Sequence, residues 1–106
     1  MSDWINVAKV SDILEGHPVH IEIEGTRIAV FKLVAGFYAI EDICTHDDGQ
    51  LTGGCVEGDE IICPRHGARF SIKTGEALTA PAYEPTAIFP VRLENGWVQV
   101  KDDRWD

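Results

Sequence analysis

Val19-His20-Ile21-Glu22-Ile23-Glu24-Gly25-Thr26-Arg27-Ile28-Ala29-Val30-Phe31-Lys32-Leu33-Val34, residues 19–34, spells two strands and the turn between them. The first five residues alternate apolar and polar, the period of a strand with one face on a core. The run from Arg27 to Val34 is rich in β-branched and aromatic residues, which fit a pleated, half-buried surface. Glu24-Gly25-Thr26 supplies tight-turn chemistry, since glycine enters left-handed backbone without steric cost. The stretch predicts an antiparallel hairpin.

The same grammar continues on both sides. Trp4 to Val7, Phe37 to Ile40, Glu60 to Cys63, Ala87 to Leu93 and Trp97 to Lys101 are further strand runs, separated by Ala35-Gly36, Glu57-Gly58-Asp59 and Asn95-Gly96. Asn-Gly is the strongest short hairpin signal of these. Ser11-Asp12-Ile13-Leu14 could form one helical turn, ended by Gly16 and Pro18. An all-β, antiparallel, sandwich-like or barrel-like single domain over residues 1–106 is expected. The segment from about 42 to 85 differs: it holds all three cysteines, two of four histidines and three of five prolines, and reads as a loop-rich lobe inserted in the strand framework.

Bulk composition narrows the function. A hydrophobic fraction of 44% is ordinary for a folded domain. Eighteen acidic against nine basic residues leave a formal charge of −9, which repels nucleic-acid phosphates and favours a partner with a basic surface. No apolar stretch approaches membrane-spanning length and the start lacks a signal-peptide pattern, so a cytoplasmic, soluble protein without membrane contact is expected. Three cysteines cannot all pair, which favours metal ligation or free thiols over a disulfide scaffold.

Within the lobe stand Cys44-Thr45-His46 and Cys63-Pro64-Arg65-His66, with 16 residues between His46 and Cys63. Each motif offers one thiolate and one imidazole close enough to converge on a bent loop, and two such loops make a four-ligand site. Gly49 and Gly67 follow the motifs and are expected to let the backbone turn sharply. A structural zinc site of two cysteines and two histidines is an alternative, although zinc spacings usually keep like ligands together.

Cys-X-His, 16 residues, then Cys-X-X-His resembles the signature of Rieske iron-sulfur proteins. The resemblance covers the whole chain and implies one [2Fe-2S] cluster, with Cys44 and Cys63 on one iron and His46 and His66 on the other. Two thiolates and two neutral imidazoles leave the oxidised site at zero charge and the reduced site at −1, so reduction is easier than at a four-cysteine site, within about −150 to +300 mV. Quinol-oxidising relatives carry an extra disulfide-forming cysteine in each ligand loop, where this chain has Gly49 and Arg65. They also carry a serine and a tyrosine that donate to sulfur, where this chain has Ala68 and Phe70. Without those donors the potential is expected low in the window.

Cys63-Pro64-Arg65-His66-Gly67-Ala68-Arg69-Phe70 followed by Lys73-Thr74-Gly75-Glu76 is most similar to the free Rieske ferredoxins of aromatic-ring dioxygenase systems. That implies an electron carrier rather than an enzyme, placed between a flavin-containing reductase and a terminal oxygenase that dock near His46 and His66. A small subunit of a nitrite reductase, or a cluster-based redox sensor, are the alternatives. Cys55 is expected to be a passive thiol, and His17 and His20 satisfied or solvent-facing. Asp47 and Asp48 read equally as rim charges or solvated turn residues. Arg65 and Arg69 could contact acidic groups of the lobe, and Trp4 and Trp97 are expected to pack at the core or an edge.

Overall fold

The computed structural model describes residues 3–45 and 48–103. Along them run β1 Ile5–Lys9, β2 Val19–Ile23, β3 Thr26–Leu33, β4 Gly36–Glu41, β5 Cys55–Glu57, β6 Glu60–Ile62, β7 Arg69–Ser71, β8 Ile88–Phe89, β9 Val91–Glu94 and β10 Trp97–Val100. They form three antiparallel sheets, ordered β1-β10-β9, β2-β3-β4-β8 and β5-β6-β7. The all-β expectation holds. The helical turn is instead a short 3-10 turn over Val10–Asp12, without a side-chain cap.

The opening hairpin forms with Val19 opposite Val30 and Ile23 opposite Thr26. Its turn places Glu24 at φ 48° and Gly25 at φ 84°, and Asn95-Gly96 repeats the arrangement at 52° and 82°. Two positive φ values make the mirror-image turn whose twist matches that of the flanking strands.

The four-stranded sheet is the middle layer, and β3 explains why. Ile28, Ala29, Val30 and Phe31 are all buried, but successive side chains of a strand point to opposite faces. Ile28 and Val30 therefore join Ala39, Phe89, Val98 and Val100 in a core shared with the β1-β10-β9 sheet. Ala29, Phe31 and Leu33 join Ile40, Leu51, Ile61, Ala68, Phe70 and Ile72 in a second core under the lobe. A strand covered on both faces reads as a continuous apolar run.

Two further features departed from expectation. The run Ala87–Leu93 is not one strand: Pro90, which cannot donate to a ladder, divides it into β8 on the middle sheet and β9 on the outer one. The lobe is also more than loops, since β5, β6 and β7 form a sheet of their own; β5 and β7 have three residues each, too few for a periodicity to show. On the outer face Arg92 Nε donates to Gln99 (2.6 Å) and Gln99 Nε2 to Asn6 (2.7 Å). Trp4 stacks there on Arg92 at 4.5 Å and Lys9 lies over Trp97, the edge packing expected of both indoles.

Candidate metal centre

The lobe leaves the middle sheet at the end of β4 and returns to it at β8. Its two cysteine-bearing loops are built alike. Cys44 N donates to Gly49 O (2.7 Å) and Asp48 N to Cys44 O (2.7 Å); Cys63 N donates to Ala68 O (2.7 Å) and Gly67 N to Cys63 O (3.0 Å). In both, the cysteine amide bonds five residues ahead and the cysteine carbonyl accepts from four residues ahead. The donor of that second bond is left-handed in each loop, Asp48 at φ 59° and Gly67 at φ 74°.

That geometry corrects the reading of Gly49. The sharp turn of the first loop is made by Asp48, a residue type that tolerates left-handed backbone, whereas Gly49 has no positive φ. A Cβ on Gly49 would instead collide with the guanidinium of Arg65. The two positions at which the quinol-oxidising proteins of similar signature would carry an extra cysteine pair thus stand against each other here, as glycine and arginine.

The sulfur-bearing side chains face inward. Cys44 and Cys63 are buried among Leu51, Ile61, Ala68 and Phe70, while His66 is exposed at the mouth of its loop. His46 and Asp47, the other expected ligand and its neighbour, lie outside the described residues, as does Trp105. Two buried thiols and an exposed imidazole on twin loops are soft donors that fit an iron-sulfur group. Burying two thiolates without a cation would be costly.

The first loop is fastened to the middle sheet by residues of the opening hairpin. Strand period places His20 and Arg27 on the lobe side, with Ala29 and Phe31. His20 Nδ1 meets Asp42 Oδ2 at 2.5 Å, and Arg27 donates to Asp48 O at 2.9 Å. Asp42 is fully buried. Its carboxylate also accepts from Leu51 N (2.7 Å), Thr52 N (2.8 Å) and the Thr52 hydroxyl (2.5 Å), closing the loop at its base. Thr45 donates from above to Glu84 O at 2.7 Å.

Sequence reasoning missed Asp42 and Arg27. An acid at the end of a strand, two residues before a ligand candidate, was the available signal. His20 is satisfied, as expected, although its partner was not foreseen. His17 is exposed and Cys55 is an exposed free thiol on β5. Arg69 does contact lobe acids, Glu57 at 2.9 Å and Glu60 at 3.3 Å, and its hydrogen bonds to Glu57 and then Glu60 push its pKa upward from the ordinary arginine value. An apolar hollow of about 300 Å³ between Leu33, Val34, Gly58 and Lys73 includes no residue of either cysteine loop.

Comparison with known proteins accords with this geometry. The family profile of the Rieske [2Fe-2S] domain matches residues 3–90. The ferredoxin component of the naphthalene 1,2-dioxygenase system of Pseudomonas putida is 39% identical over 92 residues, covering 87% of this chain and 88% of that protein. The Sphingomonas yanoikuyae B1 ferredoxin superposes with a TM-score of 0.88 at 32% identity, over 94% of this chain and 99% of that one. A chain from the complex of reduced oxygenase and oxidized ferredoxin in carbazole 1,9a-dioxygenase superposes with a TM-score of 0.85 at 34% identity, over 91% and 99%.

Proposed function

This chain belongs to the Rieske [2Fe-2S] domain family, and we propose that it is a low-potential ferredoxin passing single electrons from a flavin-dependent reductase to a terminal Rieske non-haem iron oxygenase. It binds one Rieske-type [2Fe-2S] cluster and is an electron carrier rather than an enzyme, in keeping with relatives named as ferredoxin components of dioxygenase systems. On this reading residues 1–106 are one domain working in the cytoplasm, with about 42–85 as its cluster lobe. Among the described residues no helix is long and apolar enough to cross a membrane.

Cys44, Cys63, His46 and His66 are the ligands on this reading, and the group they hold supplies a one-electron couple. The buried loop bases and the Leu51, Ile61 and Phe70 wall exclude water from the thiol side. The exposed His66 gives a partner its approach, so reductase and oxygenase would dock in turn over the imidazole face. A formal charge of −9 draws a basic docking surface toward it and makes the encounter weaken with salt. Ala68 and Phe70 are both fully buried behind the second loop and carry no hydroxyl, which favours a potential low in the family range.

The observation that carries the proposal is the pair of twin loops, each closing on a buried cysteine, with an imidazole exposed at the mouth. Purified protein should be reduced by a flavin reductase with a reduced nicotinamide and reoxidised by an aromatic-ring oxygenase with its substrate, at rates that fall with ionic strength. Iron and sulfide in the protein with no electron delivery to any such oxygenase would remove the partner assignment. Retention of the cluster in Cys44→Ser and His66→Asn would remove the ligand assignment.

A further inference from the structure

Gly49 and Gly54 are the glycines, among those described, without a positive φ, so backbone conformation does not demand a glycine at either. What lies beside Gly49 is a side chain: the three atoms nearest to a Cβ there would be Nη2, Cζ and Nη1 of Arg65, which would have to swing aside. The guanidinium of the second cysteine loop therefore lies against Gly49 of the first. Gly49 is also the residue whose carbonyl closes the first loop on Cys44 N, at 2.7 Å. Arg65 sits one residue before the exposed His66 and two after the buried Cys63.

We propose that Arg65 is a positioning residue that latches the two cluster loops together and fixes a positive charge at their mouth. Loop-to-loop spacing sets the separation of the four donors, and among the described residues the Arg65 side chain reaches from the second loop to the first. A planar guanidinium fills the space beside Gly49 in a way a lysine ammonium does not, because it is a rigid fork rather than a compact point charge. Its charge does not titrate in any working range, and it stands beside a group whose reduction adds one negative charge, so it favours the reduced state. Arg65 is exposed, which keeps that electrostatic effect modest and dependent on salt.

This inference rests on the ligand assignment above. Failure of that assignment would show separately, as a parent protein without a cluster. Arg65→Gln, Arg65→Lys and Gly49→Ala test the latch on purified holoprotein. The Gly49→Ala change evicts the guanidinium from the contact while the chain keeps its formal charge. Release of the cluster to an iron chelator, followed by visible absorbance, should be about threefold faster or more in all three variants. The Gly49→Ala/Arg65→Gln double variant should be no faster than the faster single, as expected of two changes that break one contact. The reduction potential should fall in Arg65→Gln, stay at the parent value in Arg65→Lys, and the difference should shrink at high salt. Release at the parent rate in both Arg65→Gln and Gly49→Ala, multiplicative rates in the double variant, or an unchanged potential in Arg65→Gln would each overturn the proposal.

Discussion

Nδ1 of His20, on the opening hairpin, stands 2.5 Å from Oδ2 of Asp42, 22 residues further along the chain. That contact ties the first cysteine loop to the middle sheet. The four groups that meet the Asp42 carboxylate leave no face of it unsatisfied, as a fully buried charge requires.

Removing the carboxylate orphans two backbone N–H groups as well as the imidazole. Asp42→Ala should destabilise the protein by about 3–5 kcal/mol, and His20→Ala, which leaves the carboxylate its three other donors, by about 1–2 kcal/mol. Urea denaturation of both variants measures the order, and an equal loss would mean that the loop bonds contribute nothing.

Phe31 and Val30 are adjacent on β3 but belong to different cores. Phe31→Ala should cost about 3–5 kcal/mol and also quicken cluster loss, because its cavity opens under the lobe. Val30→Ala should destabilise the sandwich while leaving the rate of cluster loss near that of the parent, as read by absorbance under native conditions.

Chelating the iron should affect the two cores unequally, since the sandwich core of Ile28, Val30, Val98 and Val100 includes neither cysteine. Hydrogen exchange of the cluster-free protein should show lost protection at Cys44, Asp48, Cys63 and Gly67 and retained protection along β3 and β10. Uniform loss over both sheets would show that the fold depends on the metal throughout.

Ala68 is fully buried and its carbonyl accepts from Cys63 N. Ala68→Ser places a hydroxyl donor behind the second loop, and each donor to sulfur stabilises the more negative reduced state. An upward shift of about 60 mV, a tenfold change in a one-electron equilibrium, is expected by voltammetry.

Glu24 occupies left-handed backbone at φ 48°, next to Gly25. Glu24→Asn converts the turn to Asn-Gly and should stabilise by about 0.5–1 kcal/mol, raising the melting temperature without altering the potential. The Arg69 network is expected to behave differently with solvent. Because the folded-state pKa of Arg69 is raised, its contribution is present below the unfolded value and disappears only at extreme alkaline pH. Salt, rather than neutral-range pH, should therefore modulate the cost of Arg69→Gln.

The strand framework was legible because β2 and β10 alternate with period two, β3 and β4 are rich in β-branched and aromatic residues, and turn residues with a required conformation bound them. Of the lobe sheet only β6 was legible, as the run from Glu60 to Cys63, since β5 and β7 have three residues each and carry no periodicity. Cys44, Cys63 and His66 could be singled out because spacing alone marks them. Asp42 carried only a weak signal, its place two residues before Cys44, and Arg27 none, because an acid or a base beside a strand looks the same whether water or a buried backbone receives it.

By itself the sequence determined an antiparallel all-β chain, the donor types of its candidate site and, at Ala68 and Phe70, side chains that carry no hydroxyl. These follow from local chemistry: side-chain period, turn conformation and the identity of the atoms available. Only the tertiary structure decided that β3 serves two cores, that Asp48 rather than Gly49 turns the first loop, and that Arg65 lies on Gly49. Each of those depends on which distant segment fills the space beside a residue, and packing of that kind is fixed when sheets and loops meet rather than by neighbours along the chain.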